Sequence, residues 1–112
     1  MLNLFLGKKE SVKLDVNLMM VEILKTGKSF DRNEIKMEIF KYRFKYLNGF
    51  DFVEKDYLDG KYSKEMINEL MIKSRNGFDS WISKNNRENV LKGFEGFEDK
   101  KVVCLNGKYL IK

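Results

Sequence analysis

Hydrophobic and polar residues along the chain follow two periods, a helical one of three to four and a strand-like one of two. The switches between them mark the elements. Met19, Met20, Ile23 and Leu24 keep helical spacing up to Thr26-Gly27, and the methionines read as pliable core filler. Upstream, Leu2 to Leu6 reads as a strand with Val12, Leu14 and Val16 alternating as its hairpin partner; in the competing reading Asp15 caps a helix that begins at Val16. Next, Phe30-Asp31-Arg32-Asn33-Glu34-Ile35 joins a capping box, Asp31 with Glu34, to a hydrophobic staple of Phe30 on Ile35. Beyond it Phe40, Tyr42, Phe44 and Tyr46 alternate with Lys41, Arg43 and Lys45 and run into Asn48-Gly49, followed by Phe50 and Phe52. A helix over 32–47 would be apolar around more than half its circumference, with Lys36 and Arg43 among the apolar positions. The pattern therefore predicts helix to about Phe40 and strand after it, with an aromatic face and a basic face.

The second half is more sharply punctuated. Ser63 is an N-cap, and Met66, Ile67, Leu70 and Met71 form a stripe opposite Lys64, Glu65, Asn68 and Glu69. Ser74-Arg75-Asn76-Gly77 predicts a stop, because glycine enters the left-handed conformation of a helix end without a steric cost. Asp79 then caps a second helix, with Trp81, Ile82, Val90 and Leu91 as its apolar contacts. Val102-Val103-Cys104-Leu105, Asn106-Gly107 and Lys108-Tyr109-Leu110-Ile111 spell a β-hairpin closed by a two-residue type I′ turn, and Cys104 reads as a core residue.

Helix, short turn, helix and hairpin from Ser63 to Lys112 resembles the winged helix-turn-helix DNA-binding family, over somewhat less than half the chain. The resemblance rests on spacing and punctuation and implies an α+β, winged helix-turn-helix-like fold. It also implies a helix from Asp79 to Arg87 in a major groove and a hairpin, with Lys108 near its tip, along the phosphate backbone. On that reading Lys73, Arg75, Lys84, Arg87 and Lys108 bind phosphates, while Ser80, Ser83, Asn85 and Asn86 offer base contacts. The plainer reading of the same polar face is a solvated helix surface. The acidic, glycine-punctuated linker Lys92 to Asp99 departs from a basic approach to DNA.

Net charge is +5, and it is unevenly spread. Residues 1–60 carry 11 basic and 10 acidic groups, residues 61–112 carry 11 and 7, so the excess lies in the half that resembles a DNA binder. Lys41, Arg43 and Lys45 add a candidate phosphate-contacting stripe; the aromatic residues between them serve as core in the plainer reading and as base-stacking platforms in the other. Asp51 to Gly60 reads as an acidic connector without the ligand order of a calcium loop. A faint echo pairs Ile23-Leu24-Lys25 and Phe30-Asp31 with Met71-Ile72-Lys73 and Phe78-Asp79, and Leu47-Asn48-Gly49 with Leu105-Asn106-Gly107, so that 12–60 and 61–112 could be related units within one domain of 112 residues.

With no histidine and one cysteine, the chain lacks the most versatile acid-base group near neutral pH, a cysteine-cluster metal site and an intrachain disulfide. No phosphate-binding glycine loop is present, so no enzyme and no cofactor are expected. No stretch spans a membrane, and the apolar start is too short for a signal sequence, which predicts a cytoplasmic protein. The Lys, Asn and Ile bias without proline resembles that of AT-rich plasmids and phages. These readings converge on a double-stranded DNA binder of a mobile element, a homodimer on paired half-sites, serving transcription regulation or plasmid replication or conjugation. The rival class is a small phage or plasmid inhibitor that meets an acidic surface of a host enzyme.

Overall fold

A computed structural model describes residues 16–84, 91 and 95–112. In chain order the elements are α1 (Val16–Leu24), β1 (Phe30–Asp31), α2 (Arg32–Asn48), α3 (Glu54–Leu58), α4 (Lys64–Ser83), β2 (Val102–Leu105) and β3 (Lys108–Ile111). The class is α+β, with four helices and one small antiparallel sheet among the described residues. The expected opening hairpin over Leu2–Val16 lies outside the described residues except for Val16, which begins α1.

Local chemistry starts α2 as the capping box predicts. The Asp31 carboxylate accepts from the Glu34 amide at 2.8 Å, and the Glu34 carboxylate accepts from the Asp31 amide at 2.8 Å. The helix then runs on to Asn48, so the strand expected after Phe40 is absent. Four aromatic residues at alternate positions are also two pairs at i,i+4: Phe40 and Phe44 are buried on one flank, Tyr42 and Tyr46 half-buried on another. A helix that serves two cores needs apolar residues around most of its girth. Lys36 and Arg43, which looked misplaced, face α4: Lys36 Nζ lies 3.2 Å from Asp79 Oδ1, and Arg43 Nη2 is 3.6 Å from where a Cβ on Gly77 would stand. Asn48-Gly49 ends this helix instead of turning a hairpin, with Gly49 at φ 83° and its amide donating to the Lys45 carbonyl at 2.8 Å.

The second correction is α4. Ser63 caps it, its Oγ accepting from the Met66 amide at 3.2 Å, but the helix passes without a break through Ser74, Arg75, Asn76 and Gly77. Its buried residues are Ile67, Leu70, Ser74, Phe78 and Trp81, at spacings of three, four, four and three. A turn at Gly77 would swing Phe78 and Trp81 off that face and out of the core, and burying each large apolar side chain contributes about 1.5–3 kcal/mol. That outweighs the loss of about 1 kcal/mol for glycine in a helix interior. Ser74 satisfies its buried hydroxyl by donating to the Leu70 carbonyl at 2.7 Å. Asp79 therefore caps nothing: it bridges Arg32, at 3.4 Å, and Lys36.

The hairpin forms as expected, with Leu105 opposite Lys108 and positive φ at Asn106 (54°) and Gly107 (78°). Its sheet order is β1-β3-β2, because Phe30 and Asp31 pair with Tyr109 and Lys108. Val102 and Tyr109 are buried on the inner face. Cys104 is exposed, not core: it sits two residues from the turn on the edge strand of the sheet. The echoed sequences take unlike structures, a helix end and strand against mid-helix, and a helix cap against a hairpin turn.

Two cores result. One joins Met19, Met20, Val21, Ile23 and Leu24 of α1 to Ile35 and Ile39 of α2, Phe78 and Trp81 of α4, Leu91, Val102 and Tyr109. The other joins Phe40 and Phe44 to Ile67 and Leu70, ringed by Leu47, Phe52, Tyr62 and Met66.

Candidate nucleic-acid interface

The continuous α4 redistributes the residues that the sequence marked for DNA. Lys73, Arg75, Ser80, Ser83 and Lys84 belong to one helix and its C-cap; Asn85, Asn86 and Arg87 lie outside the described residues. Lys73 is half-buried and pairs with Glu69 at 3.3 Å. Arg75, Ser80, Ser83 and Lys84 are exposed, and the Ser83 hydroxyl donates to the Asp79 carbonyl at 3.0 Å. The exposed positions of α4 carry two carboxylates, Glu65 and Glu69, against two cations, Lys64 and Arg75, with Lys84 at the C-cap. The helix surface is therefore of mixed charge rather than strongly basic.

Lys41, Arg43 and Lys45 do not form the stripe expected of a strand. On a helix, Lys41 and Lys45 share one side and Arg43 points nearly opposite, toward α4. Lys41 pairs with Glu38 at 3.5 Å and Lys45 with Asp51 at 3.5 Å. Beside them Tyr42 lines a shallow depression with Glu22, Lys28, Lys41, Lys45 and Asp51. Burial first, and then the Glu22 carboxylate, push its phenol above the usual 10, so it stays neutral at physiological pH. The four phenylalanines of 40–52 pack together, Phe52 edge-on with its centre 4.9 Å from Phe40 and 5.4 Å from Phe44, while Tyr42 packs against the other core. They are core partners, which takes most of them away from base stacking.

The hairpin carries a cluster that residue types alone did not flag. Lys101 and Lys112 exchange both backbone hydrogen bonds, at 3.0 and 2.8 Å, so they are directly opposed with side chains on one face. Counting by twos along the register puts Val103, Leu105, Lys108 and Leu110 on that same face, turned away from the buried Val102 and Tyr109. Lys101, Lys108 and Lys112 are all exposed. Like charges directly opposite across a strand pair are destabilising, and an anion held between Lys101 and Lys112 would relieve that. Of the sequence candidates only Lys108 belongs to this group; Lys101 and Lys112 were findable only by counting the hairpin's register outward from Asn106-Gly107.

Among the described residues no group of three histidine, cysteine, aspartate or glutamate side chains is placed to hold a metal ion, and no helix is long and apolar enough to cross a membrane. No family model, curated protein or solved structure matches the chain.

Proposed function

We propose that this chain binds double-stranded DNA, with the outer face of the hairpin as its principal phosphate contact. The observation that carries this is the set of three exposed lysines, Lys101, Lys108 and Lys112, on the outer face of the β2-β3 ribbon, whose sheet continues into β1, where Asp31 stands opposite Lys108 with its carboxylate engaged by the Glu34 amide. Lysine ammonium groups on such a ribbon suit phosphate oxygens, and neutralising phosphates releases counterions. In this reading the winged helix-turn-helix order is kept but its joint is relocated. The helix pair is α2 and α4, the joint is 49–63 with α3 inside it, and the wing is β2-β3. Ser80, Ser83 and Lys84, exposed at the C-terminal end of α4, serve as secondary contacts in this reading.

Fluorescence anisotropy tests it, with random duplex DNA and a duplex from the chain's own upstream region as probes at two salt concentrations. Binding at low salt is expected, with log affinity falling linearly against log salt. Replacing Lys101, Lys108 and Lys112 by alanine should reduce that slope by about 0.9 for each lysine that meets a phosphate. Ser80→Ala with Ser83→Ala should change affinity far less. Absence of binding to either duplex at low salt overturns the proposal.

A further inference from the structure

Away from the hairpin, α2, α3 and the first half of α4 enclose an apolar groove of about 390 Å³. Its floor is the buried pair Phe40 and Ile67, and its walls include Met37, Tyr57 and Met71, all three exposed. At its edge α3 carries Leu58, which is 73% exposed. A soluble chain rarely leaves so large an apolar residue beside an apolar hollow unless something covers both.

We infer that this groove is the interface of a two-fold homodimer, the Leu58 knob of each copy seating in the groove of the other. Two features select a second copy over an unrelated partner. First, the patch presents both a hole and a projecting knob. A foreign helix or peptide would need only the hole, whereas a surface that meets itself across a two-fold axis must offer both halves of the contact. Second, the charges that line it cancel, Lys41 against Glu54, with Lys41 also held by Glu38 at 3.5 Å. Two copies of a chain with net charge +5 repel over most of their surface, and a neutral apolar patch is where they can approach. An acidic or basic partner would call for a rim of one sign, which is not found here. The inference stands on this groove alone and is independent of what the hairpin binds.

Sedimentation velocity of the full chain over a wide concentration range tests it. A dimer mass is expected, and Leu58→Glu should raise the dimer dissociation constant by about a hundredfold, about tenfold for each of the two equivalent anchors lost. Because Leu58 lies outside both cores, the circular dichroism of L58E should match the parent, and its melting temperature should match that of the parent diluted until it is monomeric, the undiluted parent melting higher through its association. Met37→Lys, on the opposite wall, should act in the same direction, while Lys108→Glu, on the hairpin, should leave the dimer intact. A parent that stays monomeric, or a dimer that survives both L58E and M37K, overturns the inference. Anisotropy with duplex DNA, run on the same variants, reports the hairpin's role separately.

Discussion

Helices α2 and α4 are shared by two cores of different construction. The core under α1 and the sheet is mainly aliphatic and closed on several sides by separate elements, with Phe78 set edge-on to Tyr109 at 5.6 Å. The core at the other end is aromatic: Phe44 meets Phe50, Phe52 and Tyr62 at centroid distances of 5.5, 5.4 and 5.0 Å, all supplied by the chain between α2 and α4. One is locked by long-range contacts. The other is closed by a neighbouring stretch of chain, so it can re-form after local opening and remains partly open as a groove. Long-range closure fixes the hairpin relative to the helices, whereas local closure leaves a surface free for association.

The largest effects should come from cutting into each core in turn. Phe78→Ala should cost about 3–5 kcal/mol in chemical denaturation, the usual range for a fully buried phenylalanine. Phe44→Ala should fall at the low end of that range, because Phe50, Phe52 and Tyr62 can collapse into the space; equal losses would show that the aromatic core is as rigidly closed as the first. Next, Asn17→Ala strands the Trp81 indole N–H that donates to Asn17 Oδ1 at 2.8 Å, with an expected loss of about 1–3 kcal/mol. Gly77→Ala sharpens the comparison with the opposite sign. A Cβ there would meet Val16 at 3.4 Å and Arg43 at 3.6 Å, close to ordinary contact, so improved helix propensity should raise stability by about 0.5–1 kcal/mol. Had Gly77 stood in a left-handed turn, the same change would destabilise. Asp79→Ala, at a half-exposed bridge between α2 and α4, should cost less than about 1 kcal/mol, and the loss should shrink in high salt, which a lost helix cap would not do. Smallest is the alkaline limb. The folded chain holds the Tyr42 proton more tightly than the unfolded one, so stability is unaffected below pH 10 and declines as the pH rises past it, and Tyr42→Phe should blunt that decline in urea titrations.

What could be read in the residues is what depends on near neighbours. Asp31 with Glu34, Ser63 with Met66 and the Asn106-Gly107 turn act within a few positions, and each was legible. Arg43 and Gly77 were misread because what decides them lies across the molecule: a cation on an apolar helix face makes sense once α4 packs there, and a glycine stays inside a helix when Phe78 and Trp81 beyond it must reach the core shared with α1. The misplaced stop then divided α4 and gave its polar face the look of a recognition helix. Its carboxylates Glu65 and Glu69 became part of that face only when the helix was whole. Lys108 was legible beside its turn, whereas the opposed pair Lys101 and Lys112 needed the pairing register. The apolar groove had no signal, since Met37, Tyr57 and Met71 come together only through the packing of three helices.

Trp81 gives this architecture a built-in optical gauge. It is the chain's one tryptophan, 3% exposed, and its indole is tied to α1 through Asn17. Emission from an indole so enclosed sits to the blue of one in water, so a red shift reports the moment α1 separates from α4. Intrinsic fluorescence therefore follows the sheet-side core and is nearly blind to the aromatic one, whose rings are tyrosine and phenylalanine. Comparing tryptophan emission with far-ultraviolet dichroism in a single melt would separate the two ends of the molecule without labelling either.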